Sequence, residues 1–176
     1  FHVDDNLNIY VSDINNHRVV KYAYGAYDQD PVLIAGDENG SSGNALNLLY
    51  QPRGMVVASD GTVYVADWQN NRVMKFTEGT AEGEVILDQR VRGGLYLDNN
   101  DALYLVIWDG GYIYKKEPGK TIEQLTTDNL SSPSGLLVDS SGGVYVYDRG
   151  NNRIVYYAKG QTNSPKVISG DFNLGS

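Results

Sequence analysis

The sequence predicts an all-β chain built from four copies of one four-stranded antiparallel unit. Three observations predict it. Tyr-centred apolar segments recur at periods of 54, 40 and 41 residues, a spacing at which each copy is one supersecondary unit of a propeller blade or a similar array. Short apolar runs alternate with clusters of Gly, Asn, Asp and Ser in a chain with 20 Gly and 14 Tyr among 176 residues, the composition of strands joined by tight turns. No stretch has the length and 3.6-residue period of a helix.

The repeated segments are Asn8–Asp13, Thr62–Asp67, Ala102–Ile107 and Gly143–Asp148, centred on Tyr10, Tyr64, Tyr104 and Tyr145. Ten residues before the last three Tyr anchors stand Gly54, Gly94 and Gly135, with Pro52 and Pro133 two places earlier in the second and fourth units. Pro then Gly fixes the entry turn of a strand and permits a close backbone approach. After each anchor comes a turn and a further strand: Asn15–Tyr22, Asn70–Phe76 and Asn151–Tyr157. Their Asn-Asn pairs suit tight hairpins because Asn tolerates positive φ. A last strand is expected at Val32–Ile34, Val85–Leu87, Ile122–Leu125 and Val167–Ser169. The units run over about 1–36, 48–88, 89–126 and 130–170, with a loop insertion at 37–47 that accounts for the first, longer period.

The order Pro-x-Gly, Asp-x-x-Gly, Tyr-Val-x-Asp, Asn-x-Arg-Val resembles the NHL repeat across essentially the whole chain, most closely in the second and fourth units. The resemblance implies a β-propeller whose four-stranded antiparallel blades are arranged radially, usually six to a ring, of which the four units here would form part. The segment Ile34–Ser41 recurs as Ile168–Ser176. In the first instance it leads into another blade, so the sequence is expected to stop where a fifth unit would begin.

An Asp is followed five residues later by an Arg in three units: Asp13 and Arg18, Asp67 and Arg72, Asp148 and Arg153. The third unit replaces both members at once, with Ile107 and Tyr112 at the matching places. Joint loss is what a structural ion pair predicts, because one buried charge left alone costs several kcal/mol whereas replacing both is often nearly neutral. These pairs are therefore expected to build the blade rather than to catalyse.

Candidate chemistry is sparse. The histidines are His2 and His17, and there is no Cys, so a thiolate nucleophile or a multi-His metal centre cannot be assembled from these residues. Asp37, Glu38 and Asn39 offer oxygen ligands but not the dense Asp-x-Asp loop that hard cations favour. The Gly-rich stretch Gly36–Gly43 lacks the Lys-Ser/Thr of a phosphate-binding loop. No catalytic residue, metal or cofactor is assigned. The resemblance reaches amidating-lyase and lactonase-type propeller enzymes, but those set several His or carboxylate ligands around a channel.

A binding surface has better support. In propellers of this kind the loop between the second and third strands and the loop joining successive blades open on one face. Those loops carry Ile14, Asn15 and His17; Trp68, Gln69 and Asn70; Trp108 and Asp109; and Arg149 and Asn151. The insertion between Gly36 and Gln51 should lie there too. Trp beside Asn, Gln and Asp combines a flat apolar ring with hydrogen-bonding neighbours, which suits a peptide or carbohydrate ligand. Burial of both Trp between blades is an equal reading.

The first expectation is thus a non-catalytic interaction module for a protein or glycan. A structural subunit of a larger assembly or filament, joined through open strand edges, is the second. A net charge of −8 disfavours phosphate backbones, and so disfavours the RNA binding that the resemblance implies for some intracellular relatives. No apolar span reaches transmembrane length. Sequons at Asn39 and Asn129, with the acidic, Tyr- and Asn-rich composition, point to an extracellular or secreted glycoprotein.

Overall fold

The computed structural model describes residues 1–92, 94–128 and 130–170. The chain divides into two compact units, 1–93 and 94–176. Each unit holds two four-stranded antiparallel sheets in plain up-and-down order. In the first unit these are β1 (His2–Val3), β2 (Ile9–Asp13), β3 (Arg18–Tyr22) and β4 (Val32–Ala35), then β5 (Pro52–Val57), β6 (Val63–Asp67), β7 (Arg72–Phe76) and β8 (Glu84–Leu87). In the second they are β9 (Leu95–Leu97), β10 (Leu103–Val106), β11 (Ile113–Lys116) and β12 (Glu123–Gln124), then β13 (Gly135–Val138), β14 (Val144–Asp148), β15 (Arg153–Tyr157) and β16 (Lys166–Gly170).

Each sheet places its Tyr anchor on the second strand, with a fixed cross-strand partner on the third: Tyr10↔Lys21, Tyr64↔Lys75, Tyr104↔Lys115 and Tyr145↔Tyr156. Lys21 and Lys115 lie with their ammonium groups 5.4 Å from the Tyr10 and Tyr104 ring centres. A Lys stem covers the ring while its charge stays near solvent. Val63, Val65 and Ala66 of β6 and all four residues of β10 are buried. Near-continuous apolar runs of this kind belong to strands covered on both faces. One apolar core joins the two sheets of the first unit through Tyr10, Val19, Val57, Val65 and Met74. Another joins those of the second through Tyr104, Val106, Val146, Val155 and Tyr157.

The turn from first to second strand is the same in all four sheets. A residue with positive φ sits three places before each Tyr anchor: Leu7 (62°), Gly61 (84°), Asp101 (57°) and Gly142 (88°). Its N–H donates to the carbonyl three residues back, and that earlier residue donates in turn across the hairpin, as in the pair Gly142 to Asp139 and Asp139 to Gly143. The third-to-fourth strand pairing carries one register shift at the same place in three sheets, between Val19 and Val20, Val73 and Met74, and Ile154 and Val155.

Two details differ from the sequence reading. The second Asn of the pair takes the expected positive φ in the second and fourth sheets, but the link it sits in is longer than a tight hairpin. Short 3₁₀ turns at Ile14–Asn16, Trp68–Asn70 and Arg149–Asn151 follow the second strand, and only the next residue turns left-handed: His17, Asn71 and Asn152. The longer link is needed because the preceding Asp must fold back toward the Arg that opens the following strand. The fourth strand of the third sheet is also shorter than Ile122–Leu125, since β12 spans Glu123–Gln124 alone and both residues are exposed. The expected recurrence of Ile34–Ser41 at the C-terminus falls in part on residues 171–176, outside the described residues.

Candidate functional site

Asp67 closes β6 with its carboxylate fully enclosed. Its Oδ2 accepts from Arg72 Nε at 2.8 Å and from Asn70 Nδ2 at 2.7 Å, and its Oδ1 accepts from the backbone N–H of Tyr50 at 2.7 Å. Asp148 repeats the arrangement with Arg153 and Asn151 on Oδ2, and with the Ser131 N–H at 2.7 Å on Oδ1. Asp13 holds Asn16 at 2.8 Å and Arg18 at 3.3 Å nearer the surface. Where the third sheet lacks the pair, Ile107 is buried and its N–H donates to the Tyr112 carbonyl at 2.9 Å.

Arg72 reaches further than its Asp. Its guanidinium donates to the carbonyls of Asn44, Ala45 and Leu48 at 2.8–3.0 Å, and Asn70 Nδ2 donates to that of Gly43 at 2.7 Å. The insertion at 37–47 is therefore fastened to the 3₁₀ turn of the second sheet by side chains the ion pair orients. A parallel bridge between Ser42 and Leu49 closes its base. In the first sheet Arg18 similarly holds the Glu38 carbonyl at 3.1 Å.

This fastening brings several of the predicted binding residues together. Gln69 is exposed; its N–H donates to the Tyr50 carbonyl, and its Nε2 donates to Gln51 Oε1 at 3.1 Å. His17 is half-buried, accepts from the Gln51 N–H on Nδ1 at 3.2 Å, and packs edge-on to Tyr50 at 5.3 Å. With Nδ1 accepting, the neutral ring carries its proton on Nε2. Asn70 is different, since both N–H bonds of its amide are engaged by Asp67 and Gly43. Trp68 is half-buried rather than enclosed. Around its ring stand the guanidinium carbons of Arg53 and Arg90 at 5.2 Å and of Arg92 at 6.0 Å.

The three arginines escaped the sequence reading. They come from β5 and from the segment after β8, and no spacing marks them as neighbours of Trp68. In the second unit, Trp108 is likewise half-buried, with Asp109 and Arg149 exposed and the Arg149 guanidinium 5.8 Å from the Trp108 ring. Asn39 is exposed in a turn whose Asp37 carboxylate accepts the N–H groups of Asn39 and Ser41. The Ser41 side chain first, and then these N–H groups, hold the Asp37 carboxyl below its ordinary range. The sequon residue Asn129 lies outside the described residues.

Residues 49–76 and 130–157 match the NHL repeat family model. The chain carries NHL repeats. The matched stretches cover the first three strands of the second and fourth sheets, those in which the Asp of the pair is fully enclosed and accepts an upstream backbone N–H. No curated protein matches this chain in sequence. Among solved structures it is similar to a chain of a nidogen/laminin complex, at TM-score 0.72 and 22% identity over 94% of this chain and 62% of that one. It is similar also to a streptogramin B lyase, at TM-score 0.69 and 13% identity over 94% and 51%. A third is virginiamycin B lyase of Staphylococcus aureus, at TM-score 0.70 and 17% identity over 97% and 55%. The chain thus spans between about half and three-fifths of these structures, which share its propeller-like fold.

Proposed function

We propose that this NHL segment is a non-catalytic interaction module, and that in the first unit the face around Trp68, Gln69, Gln51 and His17 meets a protein partner. The observation that supports it most is the half-buried Trp68 ring next to the exposed Gln69, which bonds Tyr50 and Gln51 just after the loop that Arg72 fastens to the sheet. An aromatic anchor with amide neighbours on a braced loop gives contact area at little cost in ordering. The likeness to a chain of a nidogen/laminin complex supports the same reading, since that structure is a complex between proteins.

The lyase likenesses keep an enzyme of propeller type as the second reading. Among the described residues, however, no three of His, Asp, Glu and Cys gather as ligands for a metal. A six-bladed ring, a secreted location and glycan occupancy at Asn39 belong to the same proposal.

The test is to display the intact chain against a random peptide library and a glycan array, then repeat with Trp68→Ala and with Ser141→Ala, a turn residue of the second unit. Binders lost at least tenfold by Trp68→Ala and kept by Ser141→Ala are expected. Binders indifferent to Trp68→Ala would remove this face from the reading.

A further inference from the structure

Each unit encloses a groove between the facing sides of its two sheets. Its volume is about 530 Å³ in the first unit and about 550 Å³ in the second. The two grooves occupy the same place in the repeat. Tyr10 and Lys21 line one, Tyr104 and Lys115 line the other, and each is a cross-strand pair of the earlier sheet. From the later sheet, Phe76, opposite Val63, lines the first groove, and Tyr157, opposite Val144, lines the second. The first unit is therefore an internal control for the second, and at this position the two side chains differ by an oxygen atom.

Phe76 is 3% exposed and Tyr157 1%, so a phenyl ring already satisfies the packing here. The Tyr157 hydroxyl is nonetheless buried without a hydrogen-bond partner, and so is Asp128 Oδ2. Buried polar atoms left in this way are costly. The two groups sense each other without reaching hydrogen-bond geometry. Burial first, and then the charge of Asp128, push the Tyr157 hydroxyl above its ordinary range, so at neutral pH it keeps its proton and serves as a donor. Asp128 Oδ2 offers an acceptor. A single ligand hydroxyl satisfies both, because it accepts from one while it donates to the other.

The rest of the lining describes the body that carries this hydroxyl. Tyr96, Tyr104, Leu125, Val138 and Val144 join Tyr157 along the groove, and such apolar faces suit a flat ring better than a polyol. Asn99, Ser141 and Gln161 line it from the turns between first and second and between third and fourth strands. Those turns stand at the opposite end of the sheets from Trp108 and Arg149, which follow the second strands. We propose that the groove between the third and fourth sheets binds a small aromatic alcohol, whose hydroxyl accepts from Tyr157 Oη and donates to Asp128 Oδ2. The groove's volume lies within the range of small-molecule sites, roughly 300–1,000 Å³.

The experiment titrates the intact chain with β-naphthol, with its methyl ether, which keeps the rings but has no hydroxyl proton, and with methyl glucoside, which has hydroxyls but no apolar ring. Calorimetry gives the affinities, and thermal melts without ligand show what the hydroxyl does within the fold. β-Naphthol is expected to bind saturably and at least tenfold more tightly than either comparison compound. Tyr157→Phe should weaken it fivefold or more and yet, without ligand, melt at the native temperature or above, as Phe76 implies for the first unit. If Tyr157→Phe fails to fold, nuclear Overhauser contacts from the naphthol to Tyr157 and Leu125 in the native chain decide, and their absence overturns the inference. Failure of β-naphthol to saturate, equal binding of its methyl ether, or tighter binding of methyl glucoside overturns it as well. So does an unliganded Tyr157→Phe chain that melts well below the native one, because the hydroxyl would then be bonded to Asp128 within the fold.

Discussion

At the scale of single residues, one sequence feature takes three different weights. The Asp–Arg spacing of five is a cross-strand register in each case, Asp13↔Arg18, Asp67↔Arg72 and Asp148↔Arg153. Burial then separates the copies. The Asp67 side chain is 0% exposed and Arg72 8%, whereas Asp13 and Arg18 are both 28% exposed. Removing Asp67 leaves Arg72 charged in a dry site and orphans the Tyr50 N–H, a loss of about 3–5 kcal/mol. Removing Asp13 costs under ~1 kcal/mol, as for other solvated pairs. Asp148→Ala should fall between them, because Asp148 is enclosed but Arg153 is 34% exposed. Urea unfolding of the three variants measures the order. The double variant Asp67→Ala/Arg72→Ala should recover part of the Asp67→Ala loss, though not all of it, since the carbonyls of Asn44, Ala45 and Leu48 then lose their donor. A double variant no more stable than the single would show that the pair is not what holds the loop.

At the scale of elements, the repeated turns decide which residues are replaceable. Each first hairpin needs one left-handed residue, and the sequence supplies it unevenly. Gly61 and Gly142 meet the need without strain, Asp101 tolerates it, and Leu7 does so at φ 62° with its side chain half in solvent. An L-residue with a branched side chain pays roughly 1–2 kcal/mol there, part of which Gly returns as unfolded-chain entropy. Leu7→Gly is therefore expected to stabilise the chain by about 0.5–1 kcal/mol. At the second turn Asn152, φ 49°, should accept Gly with little change, while Asn152→Ala loses about 1 kcal/mol. Thermal melts of the three variants check both signs, and a destabilising Leu7→Gly would mean that Leu7 packing outweighs its backbone. These turns also show what the sequence could and could not reveal. Gly at the turn, Tyr on the second strand and the Asp–Arg register each depend on local chemistry, so four four-stranded sheets were legible from the repeat alone. Leu7 and Asp101 hide the same turn behind residues that do not advertise it. Trp68 was legible as a candidate, but its three arginines were not. They meet only because β5 and the segment after β8 converge, and no period in the chain encodes that convergence.

At the scale of the whole molecule, the excess of acid over base sets how stability responds to pH. Several carboxylates are bound more tightly as anions in the folded chain than in the unfolded one. Asp60 is held below its ordinary value first by the Thr62 N–H, and Asp139 first by the Ser141 hydroxyl and then by the Gly143 N–H. Asp4 is lowered by Asn8 and Asn6 in spite of burial, which opposes it. Glu117, between Lys115 and Lys120, falls to about 2. A carboxyl depressed by folding contributes stability that is present above its unfolded value, near pH 4, and is lost as pH falls through the folded value. His2 acts in the same direction by another route. Its pKa is lowered, first by burial, so the unfolded chain takes the proton before the folded one does, and stability begins to fall below about pH 6.5. The expected profile is a plateau above pH 7, a shallow decline through pH 6 and a steeper one below pH 4. There the carboxylates neutralise, and the 14 Lys and Arg are left to repel one another. Chemical unfolding from pH 3 to 8 measures it. His2→Gln should flatten the decline near pH 6 and leave the acid limb in place, whereas Asp139→Asn should soften the acid limb alone. A profile that His2→Gln leaves unaltered would assign the upper step to a group other than the half-buried imidazole.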